Sequence, residues 1–180
     1  MSPLTAEDEP PSPGPRPSGA CQAPAVIAAD ERAVDDTPVD LAALAALLGR
    51  VLAEEGAHAD VEASLRLVDP DEIAQLKAEH LDGDGAPTDV LSFPVDGVAH
   101  DAELVGDVVL CPSVAATQAA EHAGTLDDEL ALLVVHGGLH LAGWDHATET
   151  DRAAMWQRER NLMGALHGAP ARDPWGEQPQ

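Results

Sequence analysis

The chain has 180 residues, one domain's worth of core, and its 33 Asp and Glu against 9 Lys and Arg give a formal net charge of −24. No run of about twenty apolar residues is present to span a bilayer, and so acidic a chain is poorly suited to gripping phosphates by charge alone. Cys21 and Cys111 follow neither a disulfide nor a metal-ligand spacing, which suits a reducing compartment, with Cys111 as a buried thiol ending an apolar run.

Residues 1–38 carry eight of the fifteen prolines among Ser, Gly, Asp and Glu, and such a segment buries too little to fold. It lacks a basic stretch followed by an apolar core and so is no secretory signal. From Asp40 to Glu55 the residues Leu41, Leu44, Leu47, Leu48, Val51 and Leu52 recur at helical spacing, closed by Gly56. Val61 to Val68 alternates as a strand, with Val61, Ala63, Leu65 and Leu67 on one side. Pro70 opens a helix to about His80. After a loop at 82–86, Asp89 to Phe93 reads as a short strand bounded by Pro94, followed by an acidic loop at 95–103. Val105 to Cys111, apolar at nearly every position, suits a central strand buried on both faces. Pro112 opens a helix through about Ala123, ended by Gly124. Thr125 caps the next helix, with Asp128 three residues on in a loose capping box. A last helix covers Thr148 to Leu166 with Met155, Leu162 and Leu166 on its core face, and residues 168–180 read as a frayed tail.

The chemistry is concentrated in His136 to His146, H-G-G-L-H-L-A-G-W-D-H, which holds three of the eight histidines. His136 and His140, at i and i+4, share a helix face with Cβ atoms roughly 6 Å apart. Gly143 falls where a helix stops with φ > 0, and His146 can then swing back as a third ligand. Three imidazoles with a fourth position left open are the donor set of a catalytic zinc, whereas structural zinc is closed by four protein ligands. His58, His80, His100, His122 and His167 stand outside this spacing and are assigned to surface or loop. The same spacing matches the metzincin proteases, but their glutamate after the first histidine is replaced here by Gly137. Loss of that base costs a hydrolase on the order of 10²–10⁴-fold, which disfavours peptide cleavage.

With P-T-D-V-L-S-F-P at Pro87 to Pro94 and G-D-V-V-L at Gly106 to Leu110 in the same order, the chain resembles the YbeY metal-dependent endoribonucleases from about Ala25 to Leu166. The resemblance implies an α+β, zincin-like domain over residues 25–167, with about four strands in a mixed sheet and about five helices. The metal site lies at the end of a central helix, residues 1–24 are a disordered extension, and a first strand runs over Ala25 to Ala28. It implies one zinc per chain on His136, His140 and His146, and the 87–94 block beside the metal as an edge strand for an extended substrate. That substrate is single-stranded RNA, in 16S rRNA 3′-end maturation and ribosome quality control in the cytoplasm, with ribosomal proteins as docking partners and neither DNA nor membrane. The nucleophile is water activated by the ion or a ribose 2′-hydroxyl. Asp145 and Asp89 are the candidates for the base, though Asp145 equally suits orienting an imidazole. The family's tyrosine-arginine pair before the proline is replaced by His80 and Leu81, which removes an arginine for phosphate. No Lys or Arg occurs between Lys77 and Arg152. A metzincin-like zinc peptidase and a non-catalytic zinc-binding ribosome assembly factor are the alternatives.

Overall fold

The computed structural model describes residues 23–81, 85–95 and 104–176. The N-terminal stretch to residue 22 with Cys21, loop residues 82–84, the acidic stretch 96–103 with His100, and residues 177–180 lie outside the described residues.

The alternation at 61–68 becomes β2 (Glu62–Leu67), with Ala63, Leu65 and Leu67 buried. On one side it pairs in parallel with β1 (Ala25–Asp30), on the other in parallel with β4 (Leu104–Leu110). β3 (Val90–Pro94) closes the sheet antiparallel to β4, giving the order β1-β2-β4-β3. The apolar run at 105–111 is therefore an interior strand, and β3 is an edge. The sheet is mixed, four-stranded among the described residues, and joined by five helices, as expected of an α+β domain.

The leucine stripe at 41–52 forms α1 (Leu41–Glu54), capped by the Asp40 side chain, which accepts from Ala43 N–H at 3.0 Å. Its Leu44, Leu48, Val51 and Leu52 join the main core, which lies on one face of the sheet with Val108 and Leu110 of β4. α2 (Pro70–His80) covers the other face, where Ile73 packs with Val68, Leu91, Val109 and the buried Cys111. The period-two geometry of β4 sends Val108 and Val109 to these opposite clusters.

α4 (Leu126–Leu141) passes through the main core. Eleven of its residues are buried, too many for a one-sided amphipathic helix, because it lies between the sheet and α1. Its two glycines make this possible. A Cβ on Gly137 would stand 2.9 Å from Val108 Cγ1 and 3.1 Å from Ser92 Oγ, and one on Gly138 would stand 2.8 Å from Val51 Cγ1. Glycine costs roughly 1 kcal/mol of helix propensity relative to alanine, a cost offset here by close approach to the sheet and to α1.

Two expectations need correcting. The helix opened by Pro112 is shorter than the span to about Ala123 that Gly124 was expected to end: α3 runs Pro112–Gln118 and the chain then turns. The Gly124 N–H returns to the Ala119 carbonyl at 2.7 Å and the Ala123 N–H is taken by the buried Glu129 carboxylate at 3.2 Å, so side-chain and turn bonds replace the helical ladder. The frayed tail expected from composition does not hold for residues 168–176. After α5 (Glu149–Leu166) the Arg172 N–H bonds the Ala123 carbonyl, the Ala171 N–H bonds Asp128, and Trp175 is buried against the core. One large aromatic outweighs the surrounding Pro, Gly and Asp in deciding where that segment lies.

Candidate metal centre

α4 starts with Thr125, whose hydroxyl accepts from Asp128 N–H at 3.1 Å and donates to the Asp128 carboxylate at 2.7 Å. It ends in a Schellman turn: Gly143 N–H bonds the His140 carbonyl and Trp144 N–H bonds the Leu139 carbonyl, both at 3.0 Å, with Gly143 at φ 93°. That turn brings the Trp144 carbonyl back over the last helical turn, 3.0 Å from His140 Nδ1. His136 Nδ1 lies 2.7 Å from Glu159 Oε1, on a glutamate of α5 that is 3% exposed. A carbonyl and a carboxylate oxygen only accept, so both Nδ1 atoms carry protons, and in the neutral imidazoles that leaves each Nε2 a lone pair.

Those Nε2 atoms face each other at 3.1 Å. Two such lone pairs repel at that separation, and a shared cation, whether a proton or a metal ion, relieves them. Burial, and after it the neighbouring rings of His136 and His146, push His140 below the ordinary histidine value. His146, exposed beyond the turn, completes the set: one ligand atom from each of the three lies within 4.8 Å of the others. Tetrahedral zinc with N ligands at about 2.0–2.1 Å places its nitrogens about 3.3 Å apart. His136, His140 and His146 could therefore hold a metal ion. They open onto a cleft of about 540 Å³ walled by Leu81, Val90, Ser92, Trp144 and Asp145.

The sequence pattern of the family described as endoribonuclease YbeY matches residues 30–167. The chain belongs to the YbeY family. Among its relatives, endoribonuclease YbeY of Corynebacterium glutamicum is 42% identical over 127 residues, 65% of this chain and 64% of the relative. This chain thus spans a little under two thirds of that protein's length. Endoribonuclease YbeY of Frankia casuarinae is 40% identical over 156 residues, 81% of this chain and 76% of the relative. The solution structure of TM1509 from Thermotoga maritima, 26% identical, superposes with a TM-score of 0.51 over 85% of this chain and all of that one.

Within this YbeY-family fold the two candidate carboxylates part company. Asp145 lines the cleft that holds the three imidazoles, with Oδ1 accepting from His146 N–H at 2.7 Å. Asp89 lies in the adjoining cleft, where Gln118 Nε2 donates to one carboxylate oxygen and Val90 N–H, at 2.9 Å, to the other. Leu81 stands on the wall of the metal cleft at 52% exposure. Gly137, where a metzincin carries its glutamate, is pressed on Val108 with no room for a side chain. Met155 packs in the core of α5, fully buried.

Glu159 and Trp175 were not legible as site residues. Glu159 accepts from His136 through one oxygen and from Trp175 Nε1, at 2.8 Å, through the other. The signal was a glutamate on the apolar stripe Met155, Glu159, Leu162 and Leu166, where an unpaired charge would be costly. Glu55 ties the end of the site in the same way, accepting from Trp144 Nε1 at 2.8 Å and from Arg158 Nε at 2.6 Å. His122, assigned to surface or loop, is half buried with Nδ1 2.9 Å from the fully buried Glu129. His80 and His167 are exposed, at the end of α2 against Phe93 and at the end of α5 bonded to Asp128, and His58 is exposed.

Proposed function

We propose that the domain of residues 25–167 is a zinc-dependent endoribonuclease that cuts single-stranded RNA. The observation that carries this is the pair of facing Nε2 atoms, each on a ring whose Nδ1 is turned to an acceptor oxygen, with His146 within reach, in a chain of the YbeY family. When bound, the ion supplies a Lewis acid that neutralises charge building on a phosphate oxygen. The chain supplies the rest. His136, His140 and His146 hold the ion, and Glu159 and the Trp144 carbonyl fix the tautomer and tilt of two of the rings. Asp145, in the same cleft, accepts the proton of the attacking oxygen, from water or a ribose 2′-hydroxyl; Asp89, bonded to Gln118 in the adjoining cleft, takes no part in that proton transfer.

The RNA it acts on is assigned to 16S rRNA 3′-end maturation and ribosome quality control in the cytoplasm, a reading that rests on the resemblance carried by the blocks at Pro87–Pro94, Gly106–Leu110 and His136–His146. Among the described residues no helix is long and apolar enough to cross a membrane. With a net charge of −24 free RNA binds weakly, and ribosomal proteins provide the docking. The packing of Gly137 weighs against the peptidase alternative, because no general base fits there.

The test is incubation of zinc-loaded protein with single-stranded RNA, duplex RNA and casein, beside His140→Ala and Asp145→Asn. Single-stranded RNA is cut, casein is not, His140→Ala is inactive, and Asp145→Asn loses about 10²–10⁴-fold. Cutting that survives His140→Ala belongs to a contaminant and overturns the assignment.

A further inference from the structure

On the far side of His136 a second cleft of about 660 Å³ runs between α5 and the end of the 168–176 segment. His136 and Val90 line both clefts, so the metal centre sits at their junction. Three features of this second cleft are unusual in so acidic a chain. Trp156 lines it at 41% exposure, a large apolar ring left half open to water. Arg152, one helical turn earlier on α5, lies over that ring with its guanidinium carbon 5.6 Å from the centroid, and it also lines the cleft. The cleft also carries acceptors: the Asp89 carboxylate and, where the His122 ring is neutral with its Nδ1 proton given to Glu129, the His122 Nε2.

We infer that this cleft is a nucleobase pocket, taking the base of the nucleotide next to the scissile phosphate, with preference for bases that carry an exocyclic amine. The inference rests on the RNA reading of the neighbouring centre and adds to it the subsite that grips the strand. An aromatic face accepts any base by stacking. An Arg beside it answers the flanking phosphate and stacks as a plane. A wall of acceptors pairs with an amino group and repels a carbonyl oxygen in the same position. Stacking is far less salt-dependent than phosphate contact, so it is the term open to a chain with a net charge of −24. Trp156 is a positioning residue here.

The experiment uses the metal-free full-length protein in chelator, so that bound RNA stays intact, and reads fluorescence anisotropy of labelled hexamers of cytidine, of uridine and of abasic ribose phosphate. The cytidine hexamer binds more tightly than the uridine hexamer, and the abasic one most weakly. Trp156→Ala weakens the cytidine hexamer by at least about fivefold, the low end for one stacked base, and leaves the abasic hexamer unchanged; Trp156→Phe restores most of the loss. Arg152→Gln weakens all three and flattens their salt dependence. Equal affinity for cytidine and abasic hexamers, unchanged binding by Trp156→Ala, or no binding by the wild-type protein each overturns the pocket. Cleavage by the zinc-loaded protein is scored separately. A protein that binds bases without cutting RNA refutes the nuclease reading alone, and one that cuts with KM unaffected by Trp156→Ala refutes the pocket alone.

Discussion

Glu159→Gln tests the tautomer logic on which the metal centre depends. The carboxylate accepts two N–H bonds inside the protein, from His136 Nδ1 at 2.7 Å and Trp175 Nε1 at 2.8 Å, at a residue 3% exposed. Glutamine has nearly the same shape but one acceptor oxygen, and its amide nitrogen only donates. If the oxygen stays on Trp175, the amide faces His136 Nδ1, which must give up its proton; the proton then sits on Nε2, where the metal needs a lone pair. If the oxygen stays on His136, the indole N–H of Trp175 meets another donor in a buried place, at a cost of about 1–3 kcal/mol. The first arrangement lowers zinc affinity by about 10–100-fold, the usual effect of losing a group that orients a metal-bound imidazole, or about 1.4–2.8 kcal/mol. The second lowers the stability of the metal-free protein instead. Competition titration against a chromophoric chelator measures the affinity, and urea unfolding of metal-free protein measures the stability. The reasoning fails if Glu159→Gln binds zinc within about threefold of wild type and its metal-free stability is also unchanged, since one of two buried donors has to lose its acceptor.

Further perturbations follow from the same geometry. Gly137→Ala lowers the urea midpoint despite the gain in helix propensity, because its Cβ would meet Val108 at 2.9 Å and Ser92 Oγ at 3.1 Å; the expected loss is about 1–3 kcal/mol, and a stabilised variant would contradict the packing. Gly164→Ala, on α5 with open space around the added Cβ, raises stability by about 0.5–1 kcal/mol in the same measurement. Burial raises the pKa of Asp128, but bonds from the Thr125 hydroxyl, the Ala171 N–H and His167 lower it by more, and it ends below the ordinary carboxylate value. A depressed carboxylate stabilises the fold fully above its unfolded pKa of about 3.9 and loses that contribution as pH falls through the folded value. Asp128→Asn is therefore less stable than wild type at neutral pH and shows a shallower acid transition below about pH 4, read by far-UV circular dichroism; parallel pH curves would refute it. Trp175→Ala lowers stability by about 3–5 kcal/mol, the cost of truncating a buried tryptophan, and weakens zinc binding through Glu159; wild-type values for both would show that the 168–176 segment is dispensable.

Local elements were readable because their signals are local. The stripe Leu44, Leu48, Val51, Leu52 makes one helix face whatever it packs against, and the alternation at 61–67 makes a strand. Thr125 and Gly143 punctuate the site helix through bonds and dihedral angles that involve only near neighbours in sequence. The three histidines His136, His140 and His146 fall on a helix and just past the turn that ends it, so spacing was enough to bring them together. The end of α3 was misread because Ala119, Ala120 and Ala123 favour a helix and Gly124 supplies a stop signal, while Glu129, six residues beyond Ala123, captures the Ala123 N–H. His122 lies in the turn after α3, as expected of a loop residue, but its partner, a carboxylate buried by the fold, had no local signal.

By itself the amino-acid order determined the trio His136, His140 and His146 that could hold a metal ion, the helix that carries two of its members, the strand and helix inventory, and the acidic character that any substrate must overcome. Tertiary structure decided what lies beyond one element's reach. It set Glu159 and the Trp144 carbonyl behind the imidazoles, gave Asp145 to the metal cleft and Asp89 to its neighbour, and folded Trp175 back onto α5. It also showed that Gly137 is a point of close packing against Val108. The physical reason is range. Periodicity, capping and turn chemistry act over a few residues, whereas the partner of a buried charge is chosen by whichever distant segment the core brings against it, as with His136 and Glu159, 23 residues apart.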